Sequence, residues 1–242
     1  MSSLPENTAE VSRRAMSAAG FANPTRAKSL LASRELEGLD LEALVTALAH
    51  AADSDHAVLL WVRLIERADQ ARTLLADPEA ALTLTRLLGA SEALGEFLIR
   101  RPENLDLIAA PHRAEATAPA LGLIGTDADW PDSADTLRRL LLEAVDADPE
   151  APAPHTRLDP DEAVIALRRA YRRQLTAIAL ADLAAADAAD VQPSVAAWLA
   201  DLAGAALHAG LAVSRTRVRE RLGAAVDHVR LAVIGMGKCG AR

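Results

Sequence analysis

The chain has 242 residues, enough for one large domain or two small ones with a sizeable core. Its formal charge of −8 and isoelectric point near 5.3 argue against a broad nucleic-acid-binding surface, and its single cysteine, Cys239, excludes an internal disulfide and fits a reducing compartment. Apolar residues make up 51% of the chain but aromatics only 2%, so the core must come mostly from Ala, Leu and Val, a composition that favours an all-α protein held by many small contacts.

The opening MSSLPENTAE has no basic stretch followed by an apolar one, and no run of about 18 or more apolar residues occurs anywhere. Neither a secretory signal nor a membrane span is expected, and the cytoplasm is the expected location. Residues 1–20 are polar and alanine-rich and read as a tail or short helix. Asn23-Pro24 is a helix start, predicting a helix over 24–35. Asp40 opens another, with Leu41, Leu44, Val45 and Leu48 on one face. Asp53-Ser54-Asp55 opens the next, whose Val58, Leu59, Trp61, Val62, Leu64 and Ile65 make it apolar around most of its circumference and central to the core. Asp77-Pro78-Glu79 repeats the cap-then-proline signal ahead of Leu82, Leu84, Leu87 and Leu88. Gly89 is expected to close that helix and Ser91 to cap its successor, which points Leu94, Phe97 and Leu98 inward and ends or kinks at Pro102.

Residues 110–132 lose periodicity and gain Pro111, Pro119, Gly122, Gly125 and Pro131, the signature of a long loop or linker. Ser133 then caps a helix with Leu137, Leu140, Leu141 and Val145, and Pro149, Pro152 and Pro154 break the chain again. Asp159-Pro160-Asp161-Glu162 combines a cap, a proline at the first helical position and an acid three residues after the cap. In the helix that follows, Val164, Leu167, Tyr171, Leu175 and Ile178 form a stripe at steps of three and four, while Arg168, Arg169, Arg172 and Arg173 share another face. A last helix begins near Pro193-Ser194, carries Trp198, Leu199 and Leu202, continues past Gly204 and Gly210 into SRTRVRERL, and hands over at Gly223. No fixed repeat period with a recurring signature appears, so a solenoid array is not supported.

The end of the chain differs from everything before it. Leu231, Ala232, Val233 and Ile234 are an unbroken apolar run rich in β-branched residues, the pattern of a buried strand. Gly235, Gly237 and Gly240 follow with Lys238 among them. A strand running into such a loop offers backbone N–H groups, glycine lets a ligand approach, and the lysine adds positive charge, all of which suit phosphate oxygens. The same residues satisfy G-x-G-x-x-G, but a dinucleotide-binding fold wants that motif at the start of a βαβ unit, and here a long helical region precedes it. A strand and turn with no ligand is the plainest alternative. The four arginines at 168–173 are either a solvated face or a contact for phosphates or an acidic partner. Arg215, Arg217, Arg219 and Arg221 alternate and so spread around a helix rather than forming one patch. The histidines at 50, 56, 112, 155, 208 and 228 show no metal-ligand spacing, so no metal site is expected from this chain alone. Cys239 sits beside Lys238, which would favour its thiolate, but a lone cysteine in a tight loop is more often only a small residue.

LAVIGMGKCGAR at the end of the chain resembles the opening of the nucleotidyltransferase motif of the bifunctional glutamine synthetase adenylyltransferase/adenylyl-removing enzymes, in which a strand runs into Gly-x-Gly-Lys-x-Gly and on to Glu-Leu-Asn and Ser-Asp-x-Asp. SEALGEFLIRRPENLDLI at 91–108 is similar to that family's helix ending in an arginine–proline–glutamate turn, and ALRRAYRRQLTAIALADL at 166–183 to its arginine-rich helix. The resemblance runs from about Phe21 onward, and the glycine–lysine motif is its most specific part. It implies an enzyme that attaches AMP from ATP to a tyrosine of glutamine synthetase and removes it by phosphorolysis to give ADP, under a PII-type signalling protein and glutamine. It further implies that this chain is the front of the adenylyl-removing half, with Gly235, Gly237, Lys238 and Gly240 on the phosphate side of the nucleotide site. Magnesium would be held by carboxylates beyond Arg242, so the chain as it stands is expected to be catalytically incomplete.

The expected architecture is therefore mainly α: a tail or short helix at 1–20, a helical block at 21–110, a loop or linker at 111–132, and a second helical block with the arginine-rich helix at 133–229. Residues 230–242 would supply the first strand and glycine–lysine loop of a truncated α+β nucleotidyltransferase domain. Expected partners are glutamine synthetase and a PII-type protein, with no nucleic acid and no membrane. The competing readings are another nucleotidyltransferase with a helical front, and a helical interaction module whose glycine loop is incidental.

Overall fold

Acidic and serine caps divide the first part of the chain into short helices. The computed structural model describes residues 13–109, 131–185 and 187–235, and the chain divides into two units, Met1–Ala110 and Pro111–Arg242. In the first, α1 is Arg13–Ala18, α2 Pro24–Leu31, α3 Leu41–Leu48, α4 Ser54–Arg67, α5 Gln70–Ala76, α6 Pro78–Ala90, α7 Glu92–Arg100 and α8 Asp106–Ala109. The Asn23 side chain accepts from the Arg26 amide, Asp40 from Ala43, Asp53 from His56, Asp77 from Glu79 and Ala80, and Ser91 from Leu94, so the caps read from sequence are made. Asp55 instead reaches back to the approach to α2, accepting from the Ala22 amide at 2.6 Å and the Asn23 amide at 3.2 Å.

Helix α4 packs against α2, α5, α6 and α7 and is the centre of this unit. Val58, Leu60, Trp61 and Leu64 are fully buried, and the Trp61 indole N–H donates to the Thr85 hydroxyl of α6 at 2.9 Å, which satisfies both buried polar groups. The expectation for α4 holds, although Leu59 and Val62 are only half-buried. Helix α5 was not legible. It follows Ala68, which is extended (φ −149°, ψ 117°), and it buries Ala71, Leu74 and Leu75.

Several boundaries differ from expectation. Helix α2 stops at Leu31 and a 3₁₀ turn, Arg34–Leu36, takes over. Phe97 is half-buried and Ile99 takes the inward position beside Leu94 and Leu98. Gly89 does not close α6, which runs on to Ala90. A Cβ on Gly89 would lie 2.7 Å from the Ala51 Cβ and 3.2 Å from the Ala51 Cα and Ala52 N, so this glycine is where α6 meets backbone. Gly95 of α7 is in the same position against the Leu60 methyl, which a Cβ would approach to 2.5 Å.

In the second unit, α9 is Pro131–Ala144, α10 Pro160–Ala184 and α11 Ala188–Leu222. Helix α9 begins two residues before the expected cap at Ser133. The rest of the expected 111–132 linker lies outside the described residues, as do residues 1–12 of the expected tail. Helix α9 ends in a Schellman arrangement. The Ala147 amide donates to the Leu142 carbonyl, the Asp146 amide to the Glu143 carbonyl, and Asp146 takes the left-handed conformation at φ 52°. Helix α10 starts as read, with the Asp159 carboxylate accepting from Asp161 and Glu162. Its apolar stripe is deeply buried only toward its end. Ile178 and Leu180 are covered, while Val164, Leu167, Tyr171 and Leu175 are half-buried. Helix α9 has 14 residues against 25, about 21 Å beside about 38 Å.

Helix α11 starts at Ala188, capped by Asp187, and Pro193 lies inside it rather than at its first position. It packs on both α9 and α10 through Trp198, Leu202, Ala205, Ala209, Ala212 and Val213, a stripe at steps of mostly three and four. Leu199 faces outward at 40% exposure. Although no run of 18 apolar residues exists, Ala188–Arg219 is long and apolar enough to cross a membrane by length and composition, and 33% of its most apolar stretch is buried in this unit. Among the described residues there is no strand. The sole β-type pairing among the described residues is an isolated bridge between Ala147 and Thr156.

Two predictions follow from the first unit. Alanine at position 89 gains about 1 kcal/mol of helix propensity but meets backbone that cannot rotate away, at a cost of about 1–3 kcal/mol. Gly89→Ala is therefore expected to lower the urea midpoint, and Gly95→Ala, which meets only the side-chain ends of Leu60 and Leu88, to lower it less. The reverse order would refute this packing account. Second, the hydrogen bond from Arg63, reinforced by the charges of Arg63 and Arg100, holds the Glu96 carboxyl below its ordinary range against partial desolvation. A depressed carboxyl stabilises the fold above its unfolded pKa and stops doing so as pH falls through its folded pKa. Urea melts should show Glu96→Gln less stable than the parent at pH 7, with the gap closing below about pH 4.

Candidate functional site

After α11 the chain passes through one turn before the glycine-rich segment. Helix α11 stops at Gly223, whose φ of 60° suits a residue without a side chain, and a 3₁₀ turn, Gly223–His228, follows. Val226 is the buried anchor of that turn. Residues 229–235 leave it without regular structure. Contrary to expectation, residues 231–234 form no strand: Leu231, Val233 and Ile234 are 64%, 58% and 85% exposed. An apolar β-branched run becomes a strand only when its N–H and C=O groups meet a neighbour, and no described segment pairs with it.

Gly235 is the one member of the expected phosphate loop among the described residues, where it is exposed. Gly237, Lys238 and Gly240 lie outside them, as does Cys239. Leu231 and Val233 line an apolar groove of about 580 Å³ with Gly204, Leu207, Gly210 and Leu211 of α11. Its walls are mostly apolar, with His208 and Ser214 the polar side chains among them.

The turn itself is held by charge. The Asp227 carboxylate lies 2.6 Å from Nε2 of His155, and it accepts through Oδ1 from Nη1 of Arg219 at 3.3 Å, with Oδ2 3.1 Å from the same nitrogen as an ion pair. A carboxylate only accepts, so the hydrogen of His155 sits on Nε2 and the 3.3 Å approach of Arg219 to that nitrogen is a contact rather than a bond. Nδ1 of His155 is buried with no hydrogen-bond partner. His155 comes from the proline-rich segment between α9 and α10, and that segment is bound on both sides. The Thr156 hydroxyl donates to the Val145 carbonyl at 2.5 Å and accepts from the Leu158 amide. The Thr216 hydroxyl donates to the Thr156 carbonyl, Arg138 to the Pro149 carbonyl, and Arg217 pairs with Asp161.

Two of the four alternating arginines, Arg217 and Arg219, thus hold acids of their own unit. Arg168, Arg169 and Arg172 are exposed on α10 and Arg173 is half-buried. No group of three His, Cys, Asp or Glu among the described residues could hold a metal ion, so these residues do not fit a magnesium site. Sequence reasoning missed the His155–Asp227–Arg219 cluster. His155 and Asp227 are 72 positions apart, and no local spacing joins them.

The sequence model of the Glutamate-ammonia ligase adenylyltransferase family matches residues 81–242. A protein of Leifsonia xyli subsp. xyli described as a bifunctional glutamine synthetase adenylyltransferase/adenylyl-removing enzyme is 40% identical over 216 residues, covering 86% of this chain and 19% of that protein. Proteins of the same description from Bifidobacterium longum subsp. infantis and Bifidobacterium longum are 34% and 36% identical, covering 93% and 82% of this chain and 20% and 17% of theirs. The chain spans about a fifth of the length of these curated relatives. No solved structure matches.

Thr156→Val would strip the Val145 carbonyl and the Leu158 amide of their partner and is expected to cost about 1–3 kcal/mol by thermal or urea unfolding. Thr216→Val removes a single donor and should cost less; equal costs would show that the proline-rich segment is not held through Thr156.

Proposed function

The chain belongs to the glutamate-ammonia ligase adenylyltransferase family, and from that premise we propose that it forms the front of an enzyme that adds AMP to, and removes it from, a tyrosine of glutamine synthetase. The observation that carries the reading is the family match over residues 81–242, which ends on the Gly-x-Gly-Lys-x-Gly motif. We assign this part to the adenylyl-removing half. In that reaction an oxygen of inorganic phosphate attacks the adenylyl phosphorus, the bond to the tyrosine oxygen breaks, and ADP and free tyrosine leave. Backbone N–H groups at Gly235, Gly237 and Gly240 and the Lys238 ammonium would hold phosphate oxygens and offset their charge. Residues 231–234 would become a strand once a neighbouring strand of the nucleotidyltransferase sheet pairs with them. Their exposed leucine, valine and isoleucine side chains support that reading, since sheet formation would cover them. Magnesium ligands are assigned beyond residue 242, and no step through the metal is given to this chain.

We further propose that the enzyme works in the cytoplasm, uses ATP for addition and phosphate for removal, and answers to a PII-type protein. The interaction-module reading draws on a different observation: the uncovered Leu207 midway along α11 and Leu222 and Val229 at and beyond its end.

The test is phosphate-dependent release of ADP from adenylylated glutamine synthetase. The full-length protein is expected to release ADP. Lys238→Ala should lower kcat/KM by about 100-fold, the loss of one charge-assisted contact to the reacting group. The 242-residue chain should release none. A full-length protein without activity, binding glutamine synthetase equally well with alanine at 238, would favour the interaction module.

A further inference from the structure

Helix α10 carries a cationic face that its own unit leaves unanswered. Ile165, Arg168, Arg169 and Arg172 are exposed, and steps of three and four residues join them into one patch: Ile165 to Arg168 and Arg169, and each of those to Arg172. Every position three or four residues from these arginines holds Val, Ile, Ala, Tyr, Leu, Thr or another Arg, and none holds an acid. Among the described residues no ion pair or side-chain hydrogen bond reaches the three guanidinium groups. Elsewhere in the same unit arginines are set against acids. Arg138 and Arg139 share Asp135, Arg157 pairs with Asp146, Arg217 with Asp161 and Arg219 with Asp227. Like charges at steps of three and four repel along a helix, so the patch weakens α10 and gains nothing for it within its unit.

We propose that Ile165, Arg168, Arg169 and Arg172 form a docking face for an acidic segment of the protein substrate, glutamine synthetase. The inference rests on the reading of the enzyme as one that acts on that protein. The patch is bounded: Asp161 on its N-terminal side is already taken by Arg217, and beyond its other end Thr176, Ala177 and Ile178 are buried. It runs about 10 Å along the helix, with Arg168 and Arg172 about 6 Å apart along the axis, the rise between carboxylates four residues apart on a partner helix. Each guanidinium can take a carboxylate through two parallel hydrogen bonds. Ile165, 48% exposed, selects a protein over a free anion, because only an apolar side chain beside the acids would cover it. Three arginines on a chain of charge −8 fall short of the basic stripe that nucleic acid requires.

The experiment uses the full-length enzyme and measures its Kd for unmodified glutamine synthetase, with ADP release from the adenylylated form followed beside it. Arg172→Glu is expected to raise Kd about 10-fold at about 50 mM salt and much less at about 300 mM, where screening has already weakened the contact. Arg168→Glu with Arg172→Glu should raise it further, and Ile165→Ser should weaken binding equally at both salt concentrations. Arg221→Glu, the same charge change at an exposed arginine outside the patch, should leave Kd within about 2-fold. Arg172→Glu also puts an acid four residues after Arg168 and three after Arg169, so Tm should hold or rise while affinity falls. If Arg172→Glu and the double variant bind as Arg221→Glu does, the docking face is overturned and the reading of the enzyme stands. If they bind normally but raise KM for phosphate or ATP, the face is a small-anion contact and the inference is overturned. Loss of Tm together with affinity would make the arginines structural and overturn it as well. If the parent neither binds glutamine synthetase nor releases ADP, the functional reading has failed and the inference goes with it.

Discussion

Close approach between helices is the constraint on which both units of this chain depend. With aromatics at 2% of residues, few large side chains are available to fill gaps, so backbones must come near one another for alanine, valine and leucine to interlock. Gly89 lies where α6 presses on the Ala51 and Ala52 backbone, and Gly95 where α7 presses on Leu60. In the second unit α11 presents Ala205, Ala209 and Ala212 between Leu202 and Val213, and it packs on α9 and α10 through them. The few large groups are used where they also meet a polar need: Trp61 fills the centre of its unit and gives its N–H to Thr85.

The second unit adds a different requirement, which is to hold a non-helical segment in one conformation. Residues 146–158 have no helix or sheet to satisfy their backbone. Arg157 returns its amide to the Asp146 carbonyl and its guanidinium to the Asp146 carboxylate, and Thr156, Thr216 and Arg138 supply the remaining bonds. This arrangement lets a proline-rich stretch act as a brace between α9 and α11, and its far end carries His155 to the exit turn. The segment and the exit are thus one mechanical assembly, although they stand far apart in the chain.

The start signals were legible because they are local. Asn23, Asp40, Asp53, Asp77, Ser91 and Asp159 accept from amides two or three residues ahead, an interaction that four consecutive residues determine between them. Helix ends were less legible. Gly89 looked like a stop and is a packing contact, because the same absent side chain serves both purposes. Pro193 looked like a first position and lies inside α11, because Asp187 caps further upstream. Helix α5 escaped because seven residues give too short a period to read.

By itself the sequence determined the helical character, most of the caps and the family, all of which rest on neighbours in the chain or on a contiguous motif. Tertiary structure alone decided which face of α10 is covered, what Gly89 is for, and that His155, Arg219 and Asp227 meet. Those outcomes depend on distances between residues tens of positions apart, and hydrophobic pattern carries no information about them. The run at 231–234 shows the same division from the other side. Its composition states a preference for strand, and a strand exists only where another backbone lies beside it to take its hydrogen bonds.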